Sequence, residues 1–151
     1  MNQCGCVYDS KDQIQQLLIG AALQDFDRVK YLLEVFGLHP DSTIDGKPTA
    51  LCYAVLKPNL NLVEHLIQLG ADVNKSDGMG MTPLHYAAVG GCNYCVSILI
   101  SRGAEINAVN SSGRTPASLA WDRRVRSDNY LLLKHHGGIR WASDSADTGF
   151  H

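Results

Sequence analysis

The hydrophobic positions of this chain fall into short stretches with helical spacing, and the pattern of these stretches repeats along the chain. Two series of small residues mark a step of 33 residues: Ala21, Ala54, Ala87 and Ala120 in one, and Gly37, Gly70 and Gly103 in the other. A period of this length is typical of arrays in which each unit buries its apolar face against the next. The pattern therefore predicts a stack of small helical units and not a domain with one central core.

Local signals predict where the helices begin and end. Thr82 and Thr115 each precede a proline, which is the order of N-cap and first helical residue that begins many helices. The glycines of the repeated series follow the second apolar stretch of their units, where a residue that accepts a left-handed conformation can end a helix. Helices of about ten residues are marginal alone in water, so we expect their stability to come from packing between units. The repeated alanine favours close packing there, because a larger side chain would push the helices apart.

The third unit carries the most specific motif. It reads GMTPLHYAA over Gly80–Ala88, CVSILI over Cys95–Ile100 and GAEIN over Gly103–Asn107. These segments resemble the ankyrin repeat, with its G-x-T-P-L-H-x-A-A opening, V-x-x-L-L second helix and G-A-D-V-N exit. The resemblance implies an all-α ankyrin-repeat solenoid of helix pairs with hairpin-like finger loops.

The resemblance divides the chain into four units and two flanking segments. The second unit departs from the motif, since Ala50 replaces the proline, Cys52 the histidine and Lys47 the loop glycine. The first and fourth units have weaker motifs and are expected to cap the array. The expected units are 12–44, 45–77, 78–110 and 111–140, preceded by a flexible N-terminal segment, 1–11, and followed by a disordered C-terminal tail, 141–151. The implied finger loops lie near 43–48, 76–81 and 109–114.

Composition limits the class of protein. The chain has 151 residues, of which 45% are hydrophobic, and a formal net charge of −2. A single soluble body of this size buries about 68–70% of its unfolded surface. No apolar stretch approaches the roughly 20 residues of a transmembrane helix, and the N-terminus has neither a signal-peptide nor a myristoylation pattern. Five cysteines, an odd number, favour a reducing compartment over a disulfide framework. We therefore expect a monomer in the cytoplasm, the nucleus or both, with no membrane partner.

A C-x-x-C pair is the first candidate for chemistry. Cys92 and Cys95 could form a zinc site with Cys4, Cys6 or His85. The chain has no second C-x-x-C and no strand–helix context for a thioredoxin-like motif, and both cysteines lie at the start of a predicted helix. We therefore interpret Cys95 as a small apolar packing residue and predict no metal and no cofactor.

His85, Asp77 and Thr82 are a second candidate, as a catalytic trio. The resemblance to ankyrin repeats instead implies a structural role, in which the histidine ring ties the loop of one repeat to the next through hydrogen bonds to the backbone. The sequence also has no glycine-rich phosphate loop and no H-E-x-x-H motif. We therefore predict that the protein is not an enzyme.

The resemblance implies a partner surface formed by finger tips and by exposed positions of the first helices. In three of the four units an aliphatic residue lies two positions after the repeated alanine of the first helix: Leu23, Leu56 and Val89. The finger loops add methionines, and exposed methionines adapt to partner surfaces. A contiguous apolar surface on a small protein usually marks a site for another protein. The predicted partner-binding residues are Leu23, Leu56, Lys57, Met79, Met81, Val89, Arg114 and Arg123. The alternative is that these side chains cover neighbouring helices or are covered by a terminal cap.

These features predict a noncatalytic adaptor or inhibitor that binds another protein through its finger loops and concave helix face. A second hypothesis is binding of nucleic acid or phosphoinositide through the basic last unit. The cations concerned are Arg123, Arg124, Arg126, Lys134 and Arg140. The slightly acidic net charge and the lack of an aromatic-interleaved basic motif favour a solvated cap face instead. A third hypothesis is a substrate adaptor for protein degradation, although the residues after Gly138 are too few for a recruitment box.

The resemblance also implies a modification. Ankyrin repeats are often hydroxylated at the asparagine of G-A-D-V-N when a leucine lies eight residues before it. Asn74 with Leu66 and Asn107 with Leu99 have this spacing. The exit that ends at Asn74 matches the motif in every letter, so Asn74 is the better candidate.

Overall fold

A computed structural model describes residues 10–57, 59–121 and 128–139 of the chain. Within these residues it contains eight α-helices and no strand. The helices are α1 (Ser10–Ala22), α2 (Phe26–Glu34), α3 (Ala50–Leu56), α4 (Leu60–Gln68), α5 (Pro83–Gly90), α6 (Asn93–Ser101), α7 (Pro116–Trp121) and α8 (Asp128–His135). The predicted all-α repeat solenoid is confirmed.

The helices pack as pairs, and the pairs stack. In each unit the first helix packs against the second, and the first helices α1, α3, α5 and α7 also pack side by side in chain order. The helix α1 includes Ser10 and Lys11, which precede the predicted start of the first unit.

The start of α5 shows why the Thr-Pro-Leu-His segment forms a helix. Thr82 is the N-cap, and its hydroxyl oxygen accepts a hydrogen bond from the His85 backbone N at 3.4 Å. In return, His85 Nδ1 accepts a hydrogen bond from the Thr82 backbone N at 3.1 Å. In α3, where Ala50 and Cys52 replace the proline and the histidine, the N-cap has no side-chain capping bond. The departures from the motif in the second unit thus weaken the start of its first helix.

The alanines of the repeated series lie on the first helices, where the units pack together. Ala21, Ala54 and Ala87 are fully buried and Ala120 is 1% exposed. A second close approach occurs at Gly90, where an added Cβ atom would lie 2.7 Å from the backbone oxygen of Leu56. The end of α5 therefore packs directly on the backbone at the end of α3.

We expect the substitution Ala87→Leu to lower the free energy of unfolding by about 1–3 kcal/mol, because the larger side chain overpacks the contact between first helices. Urea unfolding of the wild type and the variant measures the difference. Ser97→Leu, at an exposed position of α6, is the control for added side-chain size and should change stability little. Equal stability of Ala87→Leu and the wild type would mean that this contact is not tightly packed.

Candidate protein-binding surface

Two finger loops share one backbone scheme. In the first, the Asp77 backbone N donates to the Met81 oxygen at 3.0 Å, while Asp77 Oδ1 accepts from the backbone N of Met79 at 2.8 Å and of Met81 at 2.9 Å. Asn110, 33 residues later, makes the equivalent bonds to the Arg114 oxygen and nitrogen, each at 3.0 Å. These side-chain bonds hold each loop in a single turn.

Adjacent fingers are also joined to each other. The Gly78 backbone N donates to the Gly46 oxygen at 2.7 Å, and the Ser111 backbone N donates to the Met79 oxygen at 2.9 Å. A Cβ atom on Gly78 would lie 3.1 Å from the Gly46 oxygen, so the approach of the backbones depends on a glycine there. The fingers therefore form one connected edge.

The predicted binding residues lie at two opposite ends of the first helices. The finger-end group, beside the loops, comprises Met79, Met81 and Arg114. The turn-end group, beside the connections within helix pairs, comprises Leu23, Leu56, Lys57 and Val89. The helices α3 and α5 have 7 and 8 residues, which separates the two groups by about 10–12 Å along the helix axes. Arg123 lies outside the described residues.

Within the finger-end group the exposed apolar side chain is Met79, which is 62% exposed. Met81 is partly buried, and its sulfur accepts a hydrogen bond from Asn110 Nδ2 at 3.2 Å. Arg114 is also partly buried, and its Nε donates to Ser118 Oγ at 3.3 Å. Met79 therefore offers most of the apolar contact area at this end.

Two members of the turn-end group, Leu56 and Lys57, line an open cleft of about 600 Å³. Leu23 is 68% exposed and Lys57 is exposed, whereas Leu56 and Val89 are partly buried. The described residues that line the cleft are Gln24, Leu56, Lys57, Asn59 and Leu60.

Three side chains in the cleft wall, those of Gln24, Asn59 and Leu60, were not predicted from the sequence. Leu60 is 41% exposed at the start of α4, and a signal was available, because it lies outside the helical pattern of that helix's buried residues. Gln24 has a left-handed backbone with φ of 61°. Its Nε2 donates to the Ala21 oxygen at 3.0 Å and to the Tyr53 oxygen at 3.4 Å. The buried Gln24 Oε1 has no hydrogen-bond partner among the described residues.

His85 is fully buried and holds two repeats together. Since the Thr82 backbone N–H donates to Nδ1, we assign the ring proton to Nε2, which donates to the Arg114 backbone oxygen at 3.0 Å. Burial lowers the pKa of His85, and the hydrogen bond to the Arg114 backbone partly offsets this effect. Asp77 instead forms hydrogen bonds within its own loop and accepts one from the Tyr86 hydroxyl. The pKa of Tyr86 is raised, mainly by burial and to a smaller extent by this hydrogen bond. The structure does not assemble the three residues as a catalytic trio, and His85 has the structural role that the resemblance implied.

Asn74 and Asn107, the two candidate sites of hydroxylation, also form hydrogen bonds between repeats. Asn74 Nδ2 donates to the Gly103 oxygen at 3.1 Å, and its Oδ1 accepts from the Glu105 backbone N at 2.7 Å. Asn107 makes the same pair of bonds to the fourth unit. Asp41 occupies the equivalent position 33 residues before Asn74 and accepts from the Asp72 backbone N at 2.9 Å. The sequence prediction missed this ladder of side chains, although the 33-residue spacing marks it.

The cysteines of the C-x-x-C motif are joined by a disulfide, which corrects their interpretation as packing residues alone. Cys95 does lie in the core, with no exposed surface. Among the described residues, no group of three or more His, Cys, Asp or Glu side chains could hold a metal ion. Cys52 is a buried free thiol, and burial raises its pKa to about 11. Cys4 and Cys6 lie outside the described residues.

Most of the basic residues proposed for nucleic acid or phosphoinositide also lie outside the described residues: Arg123, Arg124, Arg126 and Arg140. Lys134 is exposed in the last turn of α8. A cation at this position complements the exposed carbonyl groups of the helix end.

Comparison with known proteins identifies the family to which the chain belongs. A family model for ankyrin repeats in three copies matches residues 17–110 and 57–140. The chain belongs to the ankyrin-repeat family. Ankyrin repeats generally mediate protein–protein interactions, and the family is typically noncatalytic. In the ranges that the structure describes, none of the helices is long and apolar enough to cross a membrane.

Two curated proteins have similar sequences over part of the chain. The potassium channel AKT1 of Arabidopsis thaliana is 38% identical over 69 residues, which are 46% of this chain and 8% of the channel. The SH3 and multiple ankyrin repeat domains protein 2 of Homo sapiens is 36% identical over 85 residues, 56% of this chain and 5% of that protein. The chain therefore spans less than a tenth of the length of either relative.

Proposed function

We propose that this chain is a noncatalytic adaptor or inhibitor that binds another protein through the finger-end and turn-end groups. The observation that carries the proposal is the exposure of Leu23 and Met79, at 68% and 62%. Hydrogen bonds fix the backbone at both residues: the Leu23 backbone N donates to the Ile19 oxygen, and the Met79 backbone N donates to Asp77 Oδ1. Large apolar side chains that face outward gain little from folding, and a partner that spans both ends of the first helices would remove them from water.

The cleft at the turn end suits an apolar side chain of the partner. Leu56 and Leu60 supply apolar contact, while Lys57 and Asn59 supply polar groups at its edge. A partner that covers this open depression would exclude water from Leu56 and Leu60, and contacts that exclude water are the ones that contribute most to binding in protein interfaces. The proposal takes the free protein to be a monomer without cofactor, in the cytoplasm, the nucleus or both.

Affinity capture from the native cell tests this proposal when three baits are compared. The baits are the wild type, the double variant Leu23→Asp with Met79→Asp, and the control Ser97→Asp, at an exposed position of α6. We expect a protein that the wild type and the control retain and the double variant loses. Equal recovery with all three baits would place the binding surface elsewhere.

We also propose Asn74 as the preferred site of hydroxylation, with Asn107 as the second site. Co-expression with an asparaginyl hydroxylase should add one oxygen to Asn74, which is exposed, before Asn107, which is partly buried. Peptide mass spectrometry measures the added mass at each position, and the Asn74→Ala variant is the control for assignment. An unmodified Asn74 together with an unmodified Asn107 would remove this form of regulation.

A further inference from the structure

The connection between α5 and α6 contains a cysteine pair for which the binding proposal has no role. Cys92 is the N-cap of α6, Cys95 lies in the first turn, and a disulfide joins them. Their Cα atoms are 5.2 Å apart, a separation that a disulfide can bridge without movement of the backbone. Cys52, the free cysteine among the described residues, is buried in α3.

The two sulfurs differ in access. Cys92 is 8% exposed, whereas Cys95 has no exposed surface. Cys92 Sγ also accepts a hydrogen bond from the Cys95 backbone N at 3.1 Å. The N–H groups at a helix N-terminus stabilise negative charge, so the thiolate form of Cys92 is the favoured nucleophile of the reduced pair. Cys92 is therefore the attacking cysteine and Cys95 the resolving cysteine.

The segment that holds Cys92 connects three repeats. The Cys92 backbone N donates to the Ala87 oxygen at 3.4 Å, and the buried Asn129 of α8 donates to the same oxygen at 3.2 Å. Gly90, two residues before Cys92, packs on the backbone of Leu56 in α3. When the disulfide is reduced, the two sulfurs must separate to van der Waals contact. Because the core encloses Cys95, the movement falls on Cys92 and its turn.

We propose that Cys92 and Cys95 form a reversible dithiol–disulfide switch that exchanges with a small disulfide of the glutathione class and sets the stability of the connection between α5 and α6. In oxidation, the Cys92 thiolate attacks glutathione disulfide, forms a mixed disulfide and releases one glutathione. The Cys95 thiol then loses its proton and attacks Cys92 Sγ, which releases the second glutathione. Two electrons and two protons pass from the protein to the glutathione disulfide. Reduction by two glutathione molecules reverses both steps, as suits a compartment where disulfides are transient.

The test equilibrates the full chain in glutathione mixtures from fully reduced to fully oxidised, followed by acid quenching, alkylation and trypsin. The fragment 76–102, between Lys75 and Arg102, contains Cys92 and Cys95 and no other cysteine. We expect it to change reversibly from two alkylated thiols to one internal disulfide. The oxidised protein should melt about 5 °C higher, since the cross-link restricts the unfolded chain. Amide hydrogen exchange should rise most around residues 88–96 on reduction.

Two variants separate the switch from a general effect of thiols. Cys92→Ser keeps an oxygen at the N-cap and removes the disulfide, so its melting temperature should not respond to the redox mixture. Cys52→Ala removes the buried free thiol and should retain the response of the wild type. Three results would each overturn the proposal: a fragment that stays dithiol in excess glutathione disulfide, a disulfide that persists in excess glutathione, and equal melting temperatures of the two forms.

Discussion

The substitution His85→Ala is expected to lower the free energy of unfolding by about 3–4 kcal/mol, as large buried side chains do when truncated to alanine. The ring is fully buried and bonds to the Thr82 backbone N and to the Arg114 backbone oxygen. Its removal leaves a cavity and two backbone groups without their partners, which add a desolvation cost. Urea unfolding at pH 7.5 measures the loss.

The second repeat provides the matched control, because Cys52 occupies the position equivalent to His85. His85→Cys should therefore fold and lose less stability than His85→Ala, since the Thr82 hydroxyl can donate to the sulfur, as the Thr49 hydroxyl donates to Cys52 Sγ at 3.5 Å. If His85→Ala and the wild type were equally stable, the histidine would not connect the repeats.

The same variants give the pH dependence of this interaction. Burial lowers the pKa of His85 in the folded state, while in the unfolded chain it has its ordinary value of about 6.5. The folded state therefore favours the neutral ring. The contribution of His85 is complete above the unfolded pKa and declines as the pH falls from there toward the folded pKa, because only the unfolded chain gains a proton. The stability difference between the wild type and His85→Cys should shrink between pH 7.5 and pH 5. A difference that grows on acidification would contradict this sign.

The sequence predicted the fold because the features that define it are periodic. The alanine series, the Thr-Pro helix starts and the terminal glycines each recur at one spacing, so the family motif could be aligned without the structure. The contacts that depend on two units at once were harder to predict. Asp41, like Asn74, accepts a hydrogen bond from a backbone N of the next repeat. Because the residue at this position is an aspartate and not the asparagine of the family motif, the motif did not reveal the contact.

The binding surface was only partly predictable, because exposure depends on the neighbouring unit. Met81 and Arg114 were predicted to face outward, yet both are partly buried. Met81 accepts a hydrogen bond from Asn110, and Arg114 donates one to Ser118. Leu60 was missed since it belongs to a second helix, to which the motif assigns no partner contact. The disulfide was missed because spacing alone cannot show whether two sulfurs face each other.

The largest effect on function is expected from the substitutions Leu23→Asp and Met79→Asp. Each should weaken binding of the captured partner by about 2 kcal/mol or more, roughly 30-fold in Kd, if it replaces a central contact of the interface. Because both side chains are largely exposed, the free energy of unfolding should change by no more than about 0.5 kcal/mol. Isothermal titration calorimetry with the purified partner, combined with urea unfolding, separates the two quantities.

Two controls decide between this surface and the basic last repeat. Ser97→Asp adds the same charge at an exposed position of α6 and should bind like the wild type. Charge reversal at Arg124 and Arg126, which lie outside the described residues, removes the cations on which binding to nucleic acid or phosphoinositide would depend. Such binding weakens steeply with salt, because it releases counterions, whereas binding through Leu23 and Met79 should depend little on salt. If charge reversal abolished binding in a salt-dependent manner while Leu23→Asp and Met79→Asp had no effect, the basic surface would be the binding site and the proposal made here would be wrong.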